Sequence, residues 1–346
     1  MGCSFVTNVS VEMNKTRVLV TGASGFIGSF MVAHALQQGY ETWAAVRSTS
    51  SKAYLTDERI HFIELDYTDE CTLYAQLRCH KMKRGRWDIV IHCAGATRCL
   101  KNEEYDEANY RATRRLVDAL TALQMIPRQF IFISTLGIYG PLHEQLPFAP
   151  IKENDEPRPN TFYGASKRKA EEYLMQLQDF PYVIFRPTGV YGPRDKDYQL
   201  LIDSIRHRHT ELLLGYRCQR ITFVYVRDLV QAVFLAIEQG VHRRCFLVTD
   251  GNTYTATDFG RMVCHATHTT FVARLTFPLW VGYVVATLFD AVGRMTGRCF
   301  ALNRDKYHIL MQRNWTCDIT PTIMELGYVP RYNLERGIRE MLGSLA

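Results

Sequence analysis

The chain has 346 residues, more than one small core needs and enough for a nucleotide-binding unit with a smaller lobe. Apolar residues make up 47% and charged residues 22%, which excludes a disordered chain. The formal charge of +6 is mild and the basic residues are dispersed, so nucleic acid is not the expected partner, whereas a phosphate-bearing small molecule is compatible.

The first residues, Met1 to Asn14, lack the basic start and long apolar run of a secretory signal. Met1-Gly2-Cys3 resembles a lipidation start, but Val6 stands where myristoylation wants Ser or Thr. A leader before the first strand is expected, with Met13 as an alternative start. None of the ten cysteines forms a C-x-x-C pair. They read as reduced packing thiols of a cytoplasmic protein.

Strand and helix then alternate. Val18–Val20 is a short buried strand and Phe26–Gln38 a helix that stops at Gly39. Thr42–Val46, Ile60–Glu64, Ile89–His92 and Phe130–Ser134 read as further strands. Helical stretches lie near Glu70–Arg78 and Glu104–Leu123. The helix Tyr163–Gln178 and the strand Val183–Phe185 continue the pattern. Such alternation predicts an α/β fold, a Rossmann-type doubly wound parallel sheet covered on both faces. A dinucleotide-binding domain is expected over 13–186 and a substrate-binding lobe over 187–346. Val224–Val226 and Cys245–Val248 are expected to return strands to the sheet.

Two later segments bear on partners. Cys264-His265-Ala266-Thr267-His268 reads as polar residues on the exposed side of a helix, and no metal site is expected. Phe277–Phe289 is apolar apart from Thr287 and carries Pro278 and Gly282. It is too short for a normal membrane span. It reads first as a buried helix of the lobe. The alternative is a surface helix that admits an apolar substrate or makes peripheral membrane contact through 277–289.

Thr21-Gly22-Ala23-Ser24-Gly25-Phe26-Ile27-Gly28 joins the first strand to the first helix, the context a dinucleotide site demands. Gly22 permits the tight turn, Gly25 lets a pyrophosphate approach, and Gly28 lets the helix pack closely. The helix start, with Phe26 and Ile27, attracts phosphates. The second strand runs into Arg47-Ser48 with no acid. A guanidinium and hydroxyls suit the 2′-phosphate of NADP, with NAD as the alternative. Asp66 would face the adenine, and Ala94 and Gly95 would let the middle of the cofactor lie close.

Tyr163 and Lys167 stand one helical turn apart on one face. A free phenol titrates near 10. The neighbouring ammonium is expected to lower it, so that Tyr163 exchanges a proton with a substrate oxygen while hydride moves. Lys167 would also hold the ribose. Thr135, or its neighbour Ser134, would hydrogen-bond the substrate oxygen. Asn109 is a supporting polar candidate.

Four ordered motifs carry a resemblance over about Arg17 to Gly337. They are the glycine loop, Ser134-Thr135-Leu136-Gly137-Ile138-Tyr139-Gly140, Tyr163-Gly164-Ala165-Ser166-Lys167 and Arg186-Pro187-Thr188-Gly189-Val190-Tyr191-Gly192-Pro193. The chain resembles an extended short-chain dehydrogenase/reductase of the NAD-dependent epimerase/dehydratase family. The resemblance implies that Thr135, rather than Ser134, is catalytic and that Pro187 and Val190 line the nicotinamide. It also places Phe223–Asp228 in the substrate lobe. Relatives acting on nucleotide sugars usually carry an Arg where this chain has Ile221. Arg47-Ser48, the apolar stretch near Trp280 and Leu302-Asn303-Arg304-Asp305-Lys306 resemble the dihydroflavonol-reductase and 3β-hydroxysteroid-dehydrogenase branch. The expected function is hydride transfer between NADP(H) and an apolar ketone or alcohol, steroid-like or lipid-like. The alternatives are a nucleotide-sugar epimerase or 4,6-dehydratase and a non-catalytic NADP-binding redox sensor. The expected partner is a small-molecule substrate, and a homodimer is compatible with this reading.

Overall fold

The first half of the chain lays down one parallel sheet. The computed structural model describes residues 15–215 and 218–343, so the readings on Met1–Cys3 and Met13 lie outside the described residues. In chain order come β1 (Arg17–Thr21), α1 (Phe26–Gln37), β2 (Glu41–Val46), β3 (His61–Glu64), α2 (Glu70–Arg84) and β4 (Ile89–His92). A helical run follows: α3 (Asn102–Tyr105), a π-helical stretch (Asp106–Arg111) and α4 (Ala112–Ala122). Then come β5 (Gln129–Ile133), α5 (Phe162–Gln176) and β6 (Tyr182–Pro187).

The chain continues with β7 (Gly189–Tyr191), α6 (Lys196–Arg208), β8 (Thr210–Leu214), β9 (Phe223–Tyr225) and α7 (Val226–Glu238). Next are β10 (Arg244–Val248), α8 (Asp258–Thr267), β11 (Ala273–Phe277), α9 (Leu279–Thr296), α10 (Arg304–Met311), α11 (Thr320–Leu326) and α12 (Leu334–Gly343).

The main sheet has seven strands in the order β10-β6-β5-β4-β1-β2-β3, all parallel. Its strands other than the edge strand β3, which is largely exposed, are buried on both faces with period two. Val18, Val20, Ile89 and Ile91 pack on the α1 and α7 side. Leu19, Val90, Phe130 and Phe132 pack on the α2, α4 and α5 side. After β3 the chain crosses back to lay β4 on the other side of β1. A reversal of this kind opens a crevice at the carboxyl ends of the two strands.

The expected strand at Cys245–Val248 joins this sheet as β10. The one expected at Val224–Val226 does not. It is β9, and it pairs only with β7 in a separate ribbon. A second ribbon, β8 with β11, lies in the lobe. The lobe has its own core around Tyr191, Ile205, Phe223, Phe259 and Ile338. Helix α2 runs six residues past the expected Arg78, to the turn at Gly85, whose φ is +83°.

The apolar stretch behaves differently from the first expectation. Among the residues of α9, only Gly282, Ala286 and Gly293 are buried. Small side chains let the helix lie against Leu214 on one side and the Arg298 carbonyl on the other. The large apolar residues point outward. Among the described residues, no helix is long and apolar enough to cross a membrane.

One buried ion pair ties α5 to β6. Arg186 Nη2 and Nε bond Glu171 at 2.7 and 3.0 Å, and Arg186 Nη1 donates to the Tyr139 hydroxyl at 2.6 Å. Both charged side chains are almost fully enclosed. Removing one partner strands the other in a dry site. Glu171→Leu should therefore lower unfolding stability by about 3–5 kcal/mol, read from urea midpoints. The double variant Glu171→Leu/Arg186→Met should recover most of that loss, since apolar replacement of the whole pair leaves no orphaned charge.

Candidate active site

At the crevice, the glycine loop passes the end of β4 at backbone distance. Gly22 has φ +62°, and a Cβ on it would stand 2.7 Å from the Ala94 nitrogen. A Cβ on Gly28 would come within 2.2 Å of the Gly22 carbonyl oxygen. Both positions must be glycine for the turn, β4 and α1 to meet. Gly25 is the N-cap of α1, and the first helical turn, which includes Phe26 and Ile27, carries no acid. Its amides thus present uncancelled positive potential toward the crevice.

Arg47 and Ser48 follow β2 and are exposed. The Arg47 amide donates to Ser50 Oγ at 3.0 Å. Asp66 follows β3. Its Oδ1 accepts from the Thr68 amide and hydroxyl at 2.9 and 2.6 Å, which holds its carboxyl below the usual range.

Beyond β5 the chain turns at Thr135, whose Oγ1 accepts from the Gly137 amide at 3.0 Å. Helix α5 starts against this turn. Thr161 caps it through the Gly164 amide at 3.0 Å. A Cβ on Gly164 would lie 2.5 Å from the Gly137 carbonyl oxygen, so glycine is what lets α5 come this close. The approach brings Tyr163 against Thr135. Lys167 Nζ, on the same helix face, donates to the Ile133 carbonyl at 2.8 Å and lies 4.7 Å from the Phe132 ring centre. Asn109 sits in the π-helical stretch, fully buried. Its Oδ1 accepts from the Ala96 amide, and its Nδ2 donates to the Ala96 carbonyl and Ser166 Oγ, all at 2.9–3.0 Å. It clamps the loop after β4 to α5.

The electrostatics differ from expectation at one point. The Tyr163 phenol is raised, first by burial and then by Tyr105, with the Thr135 hydroxyl pulling it down. The ammonium of Lys167 is turned toward the Ile133 carbonyl and does not produce the expected lowering. Burial brings Lys167 itself down to about 8, against the opposing pull of Cys93 and Glu171.

Several contributors had gone unassigned in the sequence. His92 is buried, and burial with the nearby Lys167 charge pushes it down to about 3, so it is neutral. Thr113 Oγ1 donates to the Asn109 carbonyl at 2.6 Å and must therefore accept from His92 Nε2 at 2.9 Å. The other ring nitrogen, Nδ1, then accepts from Thr21 Oγ1 at 2.7 Å. The Ala94 amide completes the chain by donating to Thr21 at 3.2 Å. This relay ties the start of the glycine loop to the helix carrying Asn109.

Asp305, on α10, accepts from the Phe162 and Tyr163 amides at 2.7 and 3.2 Å. A lobe residue thereby holds the start of the helix that bears Tyr163. Arg194 reaches back from the loop after β7 to Ser29 Oγ at 2.9 Å, between the rings of Phe30 and Tyr54. Asp305 belongs to a sequence motif, but nothing in the spacing says where its carboxylate ends.

The profile of the NAD dependent epimerase/dehydratase family matches residues 18–248. The chain belongs to that family. Among its relatives is a UDP-glucose 4-epimerase of Vibrio cholerae, 27% identical, with 93% of each chain covered. Another is the decarboxylating sterol-4-alpha-carboxylate 3-dehydrogenase of Dictyostelium discoideum, 23% identical over 94% of this chain and 99% of that one. The solved UDP-glucose 4-epimerase of Thermotoga maritima, in complex with UDP-glucose, shares the fold. Its TM-score is 0.76 at 23% identity, with 95% of this chain and 98% of that chain covered. The protein is thus a nicotinamide-dependent enzyme of the extended short-chain dehydrogenase/reductase type.

The lowered Lys167 has a consequence for stability. Its folded value of about 8 lies below the ordinary 10.5. Below pH 8 both states hold the proton, and the cost of burying the ammonium is fully present. Between 8 and 10.5 only the unfolded chain keeps it, so stability rises with pH through that window. Lys167→Met removes the cost. Its stability relative to wild type should be highest below pH 8 and should fall as pH rises toward 10.5, measured by urea denaturation across pH. A difference independent of pH would place the lowered pKa elsewhere.

Proposed function

We propose that the protein transfers hydride between NADP(H) and an apolar ketone or secondary alcohol, steroid-like or lipid-like. The observation that carries this is the convergence of Thr135, Tyr163 and Lys167 at the carboxyl end of β5, beside the Ala94–Gly95 end of β4. The surroundings fit a dinucleotide. The turn at Gly22 and the acid-free start of α1 suit a pyrophosphate. Two buried hydroxyls without a partner, Ser134 Oγ and Thr188 Oγ1, lie at the ends of β5 and β6, near Pro187 and Val190, where an amide-bearing ring would find donors and acceptors. When bound, the cofactor supplies the hydride donor or acceptor.

The residues then divide the remaining work. Tyr163, held protonated by burial, gives its proton to the substrate oxygen during reduction and takes it back during oxidation. Thr135 donates a hydrogen bond to that oxygen and fixes its distance from the phenol. Lys167, one turn along the same helix face, would hold the ribose hydroxyls. Asn109 is a positioning residue, acting through Ala96 and Ser166. Arg47 and Ser48 would take the 2′-phosphate, and the Asp66 carboxylate would stand toward the adenine. The described cysteines are free, which suits a reducing, cytoplasmic setting.

Nucleotide-sugar epimerisation is the second reading, favoured by the name of the Vibrio cholerae relative. Two observations weigh against it. Ile221, where an Arg is expected, packs on the lobe core. Arg313 is already committed to the Glu144 and Cys218 carbonyls.

Tyr163→Phe should lower turnover about 10²–10⁴-fold while cofactor binding, followed by fluorescence, is kept. Near-normal turnover would assign the proton to another group. NADPH should bind more tightly than NADH, and Arg47→Ala should erase the difference by removing a charge-assisted contact worth about tenfold or more. Equal affinities in the wild type would remove the case for NADP. A panel of keto-steroids, acyl-chain ketones and UDP- and dTDP-sugars, read by nicotinamide absorbance and product analysis, decides the substrate class. Apolar ketones should turn over, and a sugar epimerised with no net absorbance change would establish the second reading.

A further inference from the structure

Helix α9 is built inside out. Its packed face carries Gly282, Ala286 and Gly293, and its solvent face carries the large apolar residues. Trp280, Val284, Leu288, Val292 and Met295 recur at spacings of four, four, four and three, which is one stripe along a helix. Trp280 is 69% exposed, Leu288 58% and Met295 86%. The ribbon beside the helix extends the patch through Leu212, Leu275 and Phe277, all exposed. A solvent-facing helix side normally carries charge, and a stripe of this size marks a surface that is covered in use.

Two details say what covers it. Thr287, exposed beside the stripe, donates its hydroxyl back to the Tyr283 carbonyl at 2.8 Å, and Thr296 does the same to Val292 at 2.9 Å. Hydroxyls satisfied in this way ask nothing of water. The second detail is charge. Between residues 271 and 304 the chain has four arginines, at 274, 294, 298 and 304, and one acid, Asp290, while Arg274 is bridged to Glu211 of the β8 strand at 2.8 Å. Asp290 is bridged to Arg304 at 3.1 Å. Arg294 and Arg298 are exposed at the C-terminal end of the stripe. Apolar residues flanked by arginine complement acyl chains beneath anionic headgroups. The same arginine excess repels a second copy of this surface.

We propose that α9 and the β8–β11 ribbon form a docking surface for an anionic lipid bilayer, with the helix lying in the interface plane. The helix is about 27 Å long at 1.5 Å per residue. It remains packed on the lobe through its small residues, which matches a helix that rests on a membrane without crossing it. The inference is independent of the chemistry at Tyr163. It does place the lobe helix that caps α5 next to the bilayer, because α10 follows α9 directly.

Flotation of the full-length protein with phosphatidylcholine vesicles, with and without phosphatidylserine, is the test. The protein should float with the anionic vesicles and be released as salt rises. Trp280 is the strongly exposed member of the four tryptophans, so vesicles should shift the emission to the blue and brominated lipid should quench it. Leu288→Glu and Trp280→Glu, at exposed positions, should leave circular dichroism and the urea midpoint unchanged. Each should reduce vesicle partitioning about tenfold, the loss expected when one apolar side chain is withdrawn from the acyl boundary. Wild type that stays in solution with anionic vesicles overturns the proposal, as do variants that float like wild type. A dimer that Leu288→Glu converts to monomer in light scattering, without lipid binding by the wild type, assigns the surface to a second copy instead.

Discussion

Helix α5 lies so close to the turn after β5 that no Cβ fits between Gly164 and the Gly137 carbonyl. The candidate site depends on that approach. Four separate contacts hold it, each from a different part of the chain. Arg186 on β6 pairs with Glu171, and Thr161 caps the helix locally. Asn109, from the far side of β4, bonds Ser166. Asp305, from the lobe, takes the first two amides. Losing one contact loosens the helix, whereas the glycine sets how near it can come at all.

The close approach has an electrostatic cost. It encloses Lys167 and Tyr163 in a region that also holds a neutral histidine, and burial shifts each of the three away from its charged form. A buried ammonium with a single carbonyl partner is unfavourable for stability. Such arrangements are found where charge is wanted for work. The relay from Thr21 through His92 and Thr113 to Asn109 spends no net charge. It keeps the glycine loop in register with the Asn109 helix by dipoles alone.

Lobe and sheet are linked through this same region. Asp305 joins α10 to the start of α5, and Arg194 joins the loop after β7 to α1. Both cross between the sheet and the segments that follow it, so a movement of the lobe would be felt at the helix carrying Tyr163. The apolar stripe of α9 lies just upstream in the chain.

Much of this was legible beforehand. Period-two burial of short β-branched runs, glycine turns and intervening helical stretches determine a doubly wound parallel sheet, and the ordered motifs point to the residues that meet at its carboxyl edge. These are local signals, carried by backbone geometry and side-chain spacing over a few residues. The pairing of β9 with β7 instead of the main sheet, the π-helical stretch that aims Asn109 and the turning of Lys167 toward Ile133 were not legible. Nor was the outward face of α9. Its apolar composition reads first as a core helix, and the surface alternative stays open because periodicity shows that residues share a face and not which way that face points. Only packing decides that. The small residues Gly282, Ala286 and Gly293 are those that fit against Leu214 and the Arg298 backbone, so the large ones are left outside. The same holds for Asp305, whose partners lie more than a hundred residues away and are brought to it by the fold.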